Sequence, residues 1–234
     1  MIGRARDAGF ARIMVPGWDL RSSEAALELA DRHPDLIHAA VGIHPHDVAG
    51  VDEAAWARLE ALATDSRTRA IGEIGLDFHR NLSPPEVQRE GLGRQLELAA
   101  RRRLPVLVHD REAHAEATAA LEGWAAPDRP RGLLHAFSGD RVMAERLTSA
   151  GFTVSFALPV AFRSAAGPRE AAAALPTGTF VVETDSPFLG PDARGRNEPT
   201  TAVRVASELA RLRGVEVEEL VAPIRSAYEK ALAG

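Results

Sequence analysis

The residues of this sequence best suited to chemistry are a glutamate among glycines, two histidines at the ends of apolar runs, and an aspartate just after a third run. Glu73 lies in Ile71-Gly72-Glu73-Ile74-Gly75-Leu76-Asp77. A carboxylate inside an apolar strand is costly to bury unless it is paired or metal-bound. The glycines beside it imply close approach of another group to the backbone. An ion pair with an arginine is the competing structural reading. His109 closes Val106-Leu107-Val108, His135 closes Leu133-Leu134, and Val181-Val182 runs into Glu183-Thr184-Asp185-Ser186-Pro187. Either histidine alone could be a hydrogen-bonded core residue, but their recurrence in consecutive units speaks against it. The sequence has no cysteine, and the Glu, His, His and Asp that remain are ligands suited to Zn²⁺, Mg²⁺, Mn²⁺ or Fe²⁺. Such a cation acidifies bound water and polarises a phosphoryl or carbonyl oxygen, which is the chemistry of metal-assisted hydrolysis. Serine catalysis is less well supported, because Ser138 follows His135 closely but no nucleophile-elbow pattern is present.

The elements that must position these residues follow from periodicity. Strands are expected at 12–15, 36–43, 69–74, 105–109, 132–135, 152–156 and 180–183. These runs are nearly continuous in Ile, Val, Leu, Ala and Phe, as strands buried on both faces of a parallel sheet are. Helices are expected from an N-cap at Ser22 or Ser23 through Asp31, over Val87 to Arg103, and through Ala202, Val205, Ala206, Leu209 and Leu212 up to Gly214. Repeated strand-helix units indicate an α/β fold. No G-x-G-x-x-G follows an early strand, which counts against a dinucleotide-binding sheet. In a (β/α)₈ barrel the strand ends carrying Glu73, His109, His135 and Asp185 would converge on one mouth. Only seven strands are legible, one fewer than a closed barrel needs.

Composition bounds the rest. The 234 residues are 45% hydrophobic and 26% charged, values that exclude a disordered chain, and no linker-like stretch divides them, so residues 1–234 read as a single domain. No run approaches the ~18 apolar residues of a membrane span, and with no secretory signal evident a cytoplasmic location is expected. The net charge of −5 gives no global basic field to draw polyanions.

At this point the sequence resembles the TatD family of metal-dependent hydrolases, among the amidohydrolase-like TIM barrels. The matching segments are Val41-Gly42-Ile43-His44-Pro45-His46, Gly72-Glu73-Ile74-Gly75-Leu76-Asp77, Leu104-Pro105-Val106 leading into His109-Asp110-Arg111, His135-Ala136-Phe137-Ser138-Gly139, Glu183-Thr184-Asp185-Ser186-Pro187 and Asn197-Glu198-Pro199. They occur in family order over nearly the whole chain. The resemblance implies two divalent cations (Mg, Mn or Zn) in the full family site, and cleavage of phosphodiester bonds in DNA or nucleotides, of the 3′-5′ exonuclease type. Glu73 would bridge the cations, with His109 and His135 on the second and Asp185 on the first. Asp185 would also take a proton from the attacking water, and His44 and Arg111 would line the substrate site. Asp77, His46 and Glu183 read as supporting or turn-forming residues, and His114 as either site-proximal or solvated. His33, His38 and His79 have no comparable motif. Trp18, Trp56 and Trp124 read as packing residues, too scattered for a base-stacking platform.

The family pattern begins with a strand carrying His-x-His that supplies two ligands of the first cation. No His-x-His precedes residue 44 here, and His44-Pro45-His46 matches a different motif. The expectation is therefore a barrel lacking its first strand, with the edges of 12–15 and 180–183 left unpaired. A misassigned start, a trimmed chain and a natural truncation that is inactive or holds a single cation would each account for it. Two further functions stay open: an esterase, lactonase or amidase on the same barrel, and an inactive truncated barrel acting through interactions.

Overall fold

Strand and helix alternate along the chain because buried β-branched runs alternate with amphipathic segments. The computed structural model describes residues 1–127, 129–188, 190 and 196–233. In chain order the elements are α1 (Ile2–Asp7), β1 (Ile13–Pro16), α2 (Leu20–Arg32), β2 (Ile37–Val41), α3 (Glu53–Leu62), β3 (Thr68–Asp77), α4 (Pro85–Arg102) and β4 (Val106–Arg111). They continue with α5 (His114–Trp124), β5 (Gly132–Leu134), α6 (Arg141–Ser149), β6 (Thr153–Phe156), α7 (Ala166–Ala174), β7 (Phe180–Val182), α8 (Ala202–Arg213) and α9 (Val217–Ala231). All seven expected strands are present. No helix among the described residues is long and apolar enough to cross a membrane.

By internal contacts the chain forms two compact units. One is chiefly Arg12–Leu133; the other is Met1–Ala11 with Leu134–Lys230. In the first, β1, β2, β3 and β4 pair in that order, all parallel. Its core is apolar: Ala39, Ala40, Val41, Ile71, Ile74, Val106 and Val108 are fully buried. Continuous apolar strands of this kind are what burial on both faces requires. In the second unit β6 and β7 pair in parallel, and Phe156 and Phe180 stack edge to face at 5.9 Å.

Two expectations need correction, and a third gains its partner. The N-cap of α2 is Asp19, whose carboxylate accepts the Ser22 N–H at 2.6 Å. Ser22 is instead the third residue of a capping box, returning its hydroxyl to the Asp19 N–H at 2.9 Å. Next, β3 runs to Asp77, three residues beyond the expected end, because the apolar pattern hides a register shift between Ile71 and Ile74. Finally, the glycines flanking Glu73 meet a neighbouring strand. A Cβ at Gly72 would lie 2.5 Å from the Leu107 Cβ, and Gly75, at φ +145°, faces the His109 carbonyl directly. β3 and β4 approach too closely there for any side chain.

Candidate active site

The register shift in β3 does more than lengthen the strand. A bulge changes the direction of the side chains within it, and Glu73 stands inside the shift. Its N–H leaves the ladder and donates to the Gly17 carbonyl at 2.6 Å, just past the end of β1. The Glu73 carboxylate then meets two imidazoles. His109 Nδ1 lies 3.0 Å from Oε1, and His44 Nε2 lies 3.5 Å from the same oxygen. Donor atoms of His44, Glu73 and His109 all fall within 4.8 Å of one another, an arrangement able to hold a metal ion. His44, expected from the resemblance to line the substrate site, lies against Glu73.

Behind these groups sits Asp77, which is 0% exposed. One carboxylate oxygen takes the His46 Nε2 at 2.8 Å and the His109 Nε2 at 3.2 Å. The other accepts the N–H groups of His79 and Arg80 at 3.0 and 2.8 Å. Burial opposes its ionisation, but the hydrogen bonds from His109, Arg80 and His46 outweigh that and hold the carboxyl well below the usual carboxylate range. Asp77 thus fixes two rings and the chain reversal after β3 together. The supporting and turn-forming roles that the sequence offered as alternatives for Asp77 are combined in one side chain.

His44 is held at both ends. Its N–H donates to the Trp18 carbonyl at 2.8 Å, and its Nδ1 accepts the His46 N–H at 3.2 Å. Burial pushes its pKa below the ordinary histidine value, against the opposing pull of Glu73. A neutral ring whose Nδ1 accepts this hydrogen bond carries its own hydrogen on Nε2, the end facing Glu73.

Arg111, at the end of β4, is exposed, and no described carboxylate pairs with its side chain. Beside it Asp110 is committed locally: it accepts the Ala113 N–H at 3.3 Å and faces His114 Nδ1 at 2.7 Å. His114 is thereby an Asp110 partner. His79 pairs with Glu112 at 2.6 Å on the surface.

The second unit carries its own group. His135 Nδ1 lies 2.9 Å from Glu183 Oε2, and His135 Nε2 lies 3.7 Å from Asp185 Oδ1. Glu183 Oε1 is buried without an aligned hydrogen-bond donor among the described residues, although His135 Nδ1 approaches it at 2.8 Å. The ring nitrogen straddles both oxygens, and its hydrogen can serve one. Asp185 has φ +56°, a left-handed conformation uncommon for a residue with a Cβ.

What maintains that turn is Asn197, which is fully buried. Its amide donates to the Thr184 carbonyl and, at 2.7 Å, to the Phe188 carbonyl. Its own N–H reaches the Pro187 carbonyl at 3.2 Å. Motif matching singled out Asn197-Glu198-Pro199 without a role; the structure makes Asn197 the staple of the Asp185 turn. Glu198 pairs with Arg4 of α1 through two contacts of 2.8 Å.

Comparison with known proteins agrees with this architecture. Residues 1–233 match the family described as TatD related DNase. The chain belongs to that family. It is 35% identical to an uncharacterized metal-dependent hydrolase, YabD, of Bacillus subtilis (strain 168), over 94% of this chain and 86% of the relative. It is 36% identical to a protein named 3′-5′ ssDNA/RNA exonuclease TatD from Erwinia tasmaniensis, over 95% and 88%. Among solved structures, the TatD homologue YjjV of Escherichia coli K12 superposes with a TM-score of 0.89 at 29% identity, covering 98% of this chain and 89% of that one. A TatD-family hydrolase of Entamoeba histolytica at 19% identity and TM-score 0.86 shares the fold. The α/β barrel class expected from the strand-end residues is therefore the class of this family member.

Proposed function

We propose that this chain hydrolyses phosphodiester bonds of single-stranded nucleic acid, removing nucleotides from the 3′ end with the help of divalent cations. The observation that carries this reading is the juxtaposition of His44, Glu73 and His109 in a TatD-family chain. The donor set fits a divalent cation: imidazole nitrogens and carboxylate oxygens, largely buried and within reach of one another. The unaligned Glu183 oxygen beside His135 is a second polar atom that a cation would satisfy. Glu73, His109, His135 and Asp185 are the proposed ligands, as the family resemblance assigns them, and His44 joins Glu73 and His109. Whether one cation or two are held, and whether they are Mg²⁺, Mn²⁺ or Zn²⁺, belongs to this proposal, as do the single-domain reading of the chain and a cytoplasmic location.

When bound, such ions lower the pKa of water and offset charge on the phosphoryl oxygens. The chain's own residues do the rest. Asp77 fixes the His109 and His46 rings, which limits the rearrangement needed on binding. Asp185, partly exposed on its stapled turn, accepts a proton from the attacking water. Arg111, with no described carboxylate partner, is suited to bidentate contact with the substrate phosphate.

The test is hydrolysis of single-stranded oligonucleotides labelled at either end, with each cation in turn, alongside p-nitrophenyl carboxyl esters. Shortening from the 3′ end that stops with EDTA is expected. Glu73→Gln should lower kcat/KM by more than ~100-fold, beyond the loss typical of a residue that only supports a ligand. Ester turnover without oligonucleotide shortening would move the chain to the esterase class.

A further inference from the structure

The three tryptophans do not share a role. Trp56 and Trp124 are buried. The first packs under the Arg94 guanidinium at 4.6 Å, and the second donates its indole N–H to the Leu96 carbonyl at 3.2 Å. Both are the packing residues that their spacing suggested. Trp18 is 48% exposed, and among the described residues its indole has no ring contact and no side-chain hydrogen bond.

A single exposed aromatic is ordinary on a protein surface. The backbone around this one is not ordinary. The carbonyl of Gly17 accepts the Glu73 N–H at 2.6 Å, and the carbonyl of Trp18 accepts the His44 N–H at 2.8 Å. The Trp18 N–H donates to Ser22 Oγ at 2.9 Å, inside the capping box of α2. Both polar backbone groups of Trp18 are thus engaged, one of them by a member of the His44–Glu73–His109 group. The segment that presents the indole is bolted to the candidate cation site, and an aromatic side chain with two rotatable bonds loses little freedom on binding.

From this geometry we infer that Trp18 is a stacking platform for an unpaired nucleobase of the substrate. The inference rests on the single-stranded nucleic-acid reading above and assigns to one residue the recognition of an unpaired base. A base in a duplex is already stacked on both faces and offers none to an indole, whereas every unpaired base does, whatever its identity. Trp18 therefore supplies discrimination for unpaired over paired ends, with little preference among sequences. The packing role expected of all three tryptophans fails for Trp18, whose ring is exposed.

The experiment measures binding of a labelled, phosphorothioate-linked oligothymidylate, which resists turnover, with Mg²⁺ present. Trp18→Ala is expected to raise Kd roughly 5- to 100-fold, the range typical of one lost stacking contact. Trp18→Phe should restore most of it. Wild type should lose a similar factor on an abasic oligomer of the same length, and Trp18→Ala should lose little more there, since both changes remove the same contact. Oligothymidylate should quench tryptophan fluorescence in wild type and much less in Trp18→Phe. Equal Kd for wild type and Trp18→Ala, a loss by Trp18→Ala on the abasic oligomer as large as the wild-type loss there, or no binding at all overturns the inference. Trp18-dependent binding without any hydrolysis leaves the stacking role standing and removes the exonuclease reading instead.

Discussion

The two units each bring a histidine and carboxylates together, and they do so by different means. In the Arg12–Leu133 unit, Glu73 lies within a ten-residue strand and His109 within the strand beside it. A fully buried aspartate grips His109 and His46 at once. In the other unit β7 has three residues, and Glu183 and Asp185 lie past its end on a turn held by Asn197. The first group is set by paired strands and a shared carboxylate. The second is set by a loop with one residue at φ +56° and one staple. Rigid strands hold donors more closely than loops do, so the first group is the more preorganised of the two.

That contrast can be broken by removing each support in turn. Asp77→Asn withdraws the carboxylate that both rings share, and is expected to weaken divalent-cation affinity by ~10- to 100-fold. Glu183→Gln, whose side chain pairs with the single ring of His135 among the described residues, should stay near the lower end of that range. Titration calorimetry on both variants decides it, and equal losses would erase the proposed difference in preorganisation.

The backbone support of the first group is sharpened by Gly75→Ala. Its φ of +145° and the facing His109 carbonyl leave no room for a methyl group. A loss of about 2–4 kcal/mol in urea unfolding is expected, combining backbone strain and overpacking. A smaller loss would mean that β3 and β4 can part without cost.

The smallest effect tests the helices of the second unit. Glu208 of α8 accepts from Arg211 at 2.7 and 2.8 Å and from Arg169 of α7 at 2.8 Å. The Arg211 hydrogen bonds, opposed by burial and aided by Arg169, lower its carboxyl from the ordinary 4.5 to about 2. A folded-state pKa below the unfolded one stabilises above the unfolded value, and that contribution is lost as pH falls from about 4.5 toward 2. About 1 kcal/mol of acid sensitivity should disappear in Glu208→Gln, followed by thermal unfolding across that range. An unchanged acid profile would mean that neither the pair with Arg211 inside α8 nor the α7–α8 pair with Arg169 adds stability.

Much of this was legible in the residues. Nearly continuous apolar runs located all seven strands to within a few residues, because burial on both faces leaves a compositional trace. Glu73, His109 and Asp185 stood out because charged or titratable groups beside apolar strands are expensive without a function. Less legible was whatever depends on partners far along the chain. The glycines beside Glu73 announced a close approach, but only the fold shows that β4 makes it. Asn197 lies thirteen residues from Thr184, and no local pattern links them.

Residue types, motif order and family membership were thus determined by the sequence by itself, since they need only chemistry and spacing. The tertiary structure decided four other matters. It placed the register shift that holds Glu73, made Asp77 the shared partner of two rings, drew His44 to Glu73, and left Trp18 exposed on a segment bolted to both. Each of these rests on contacts between residues well apart in the chain, whose geometry is set by strand pairing and helix packing and not by any local preference.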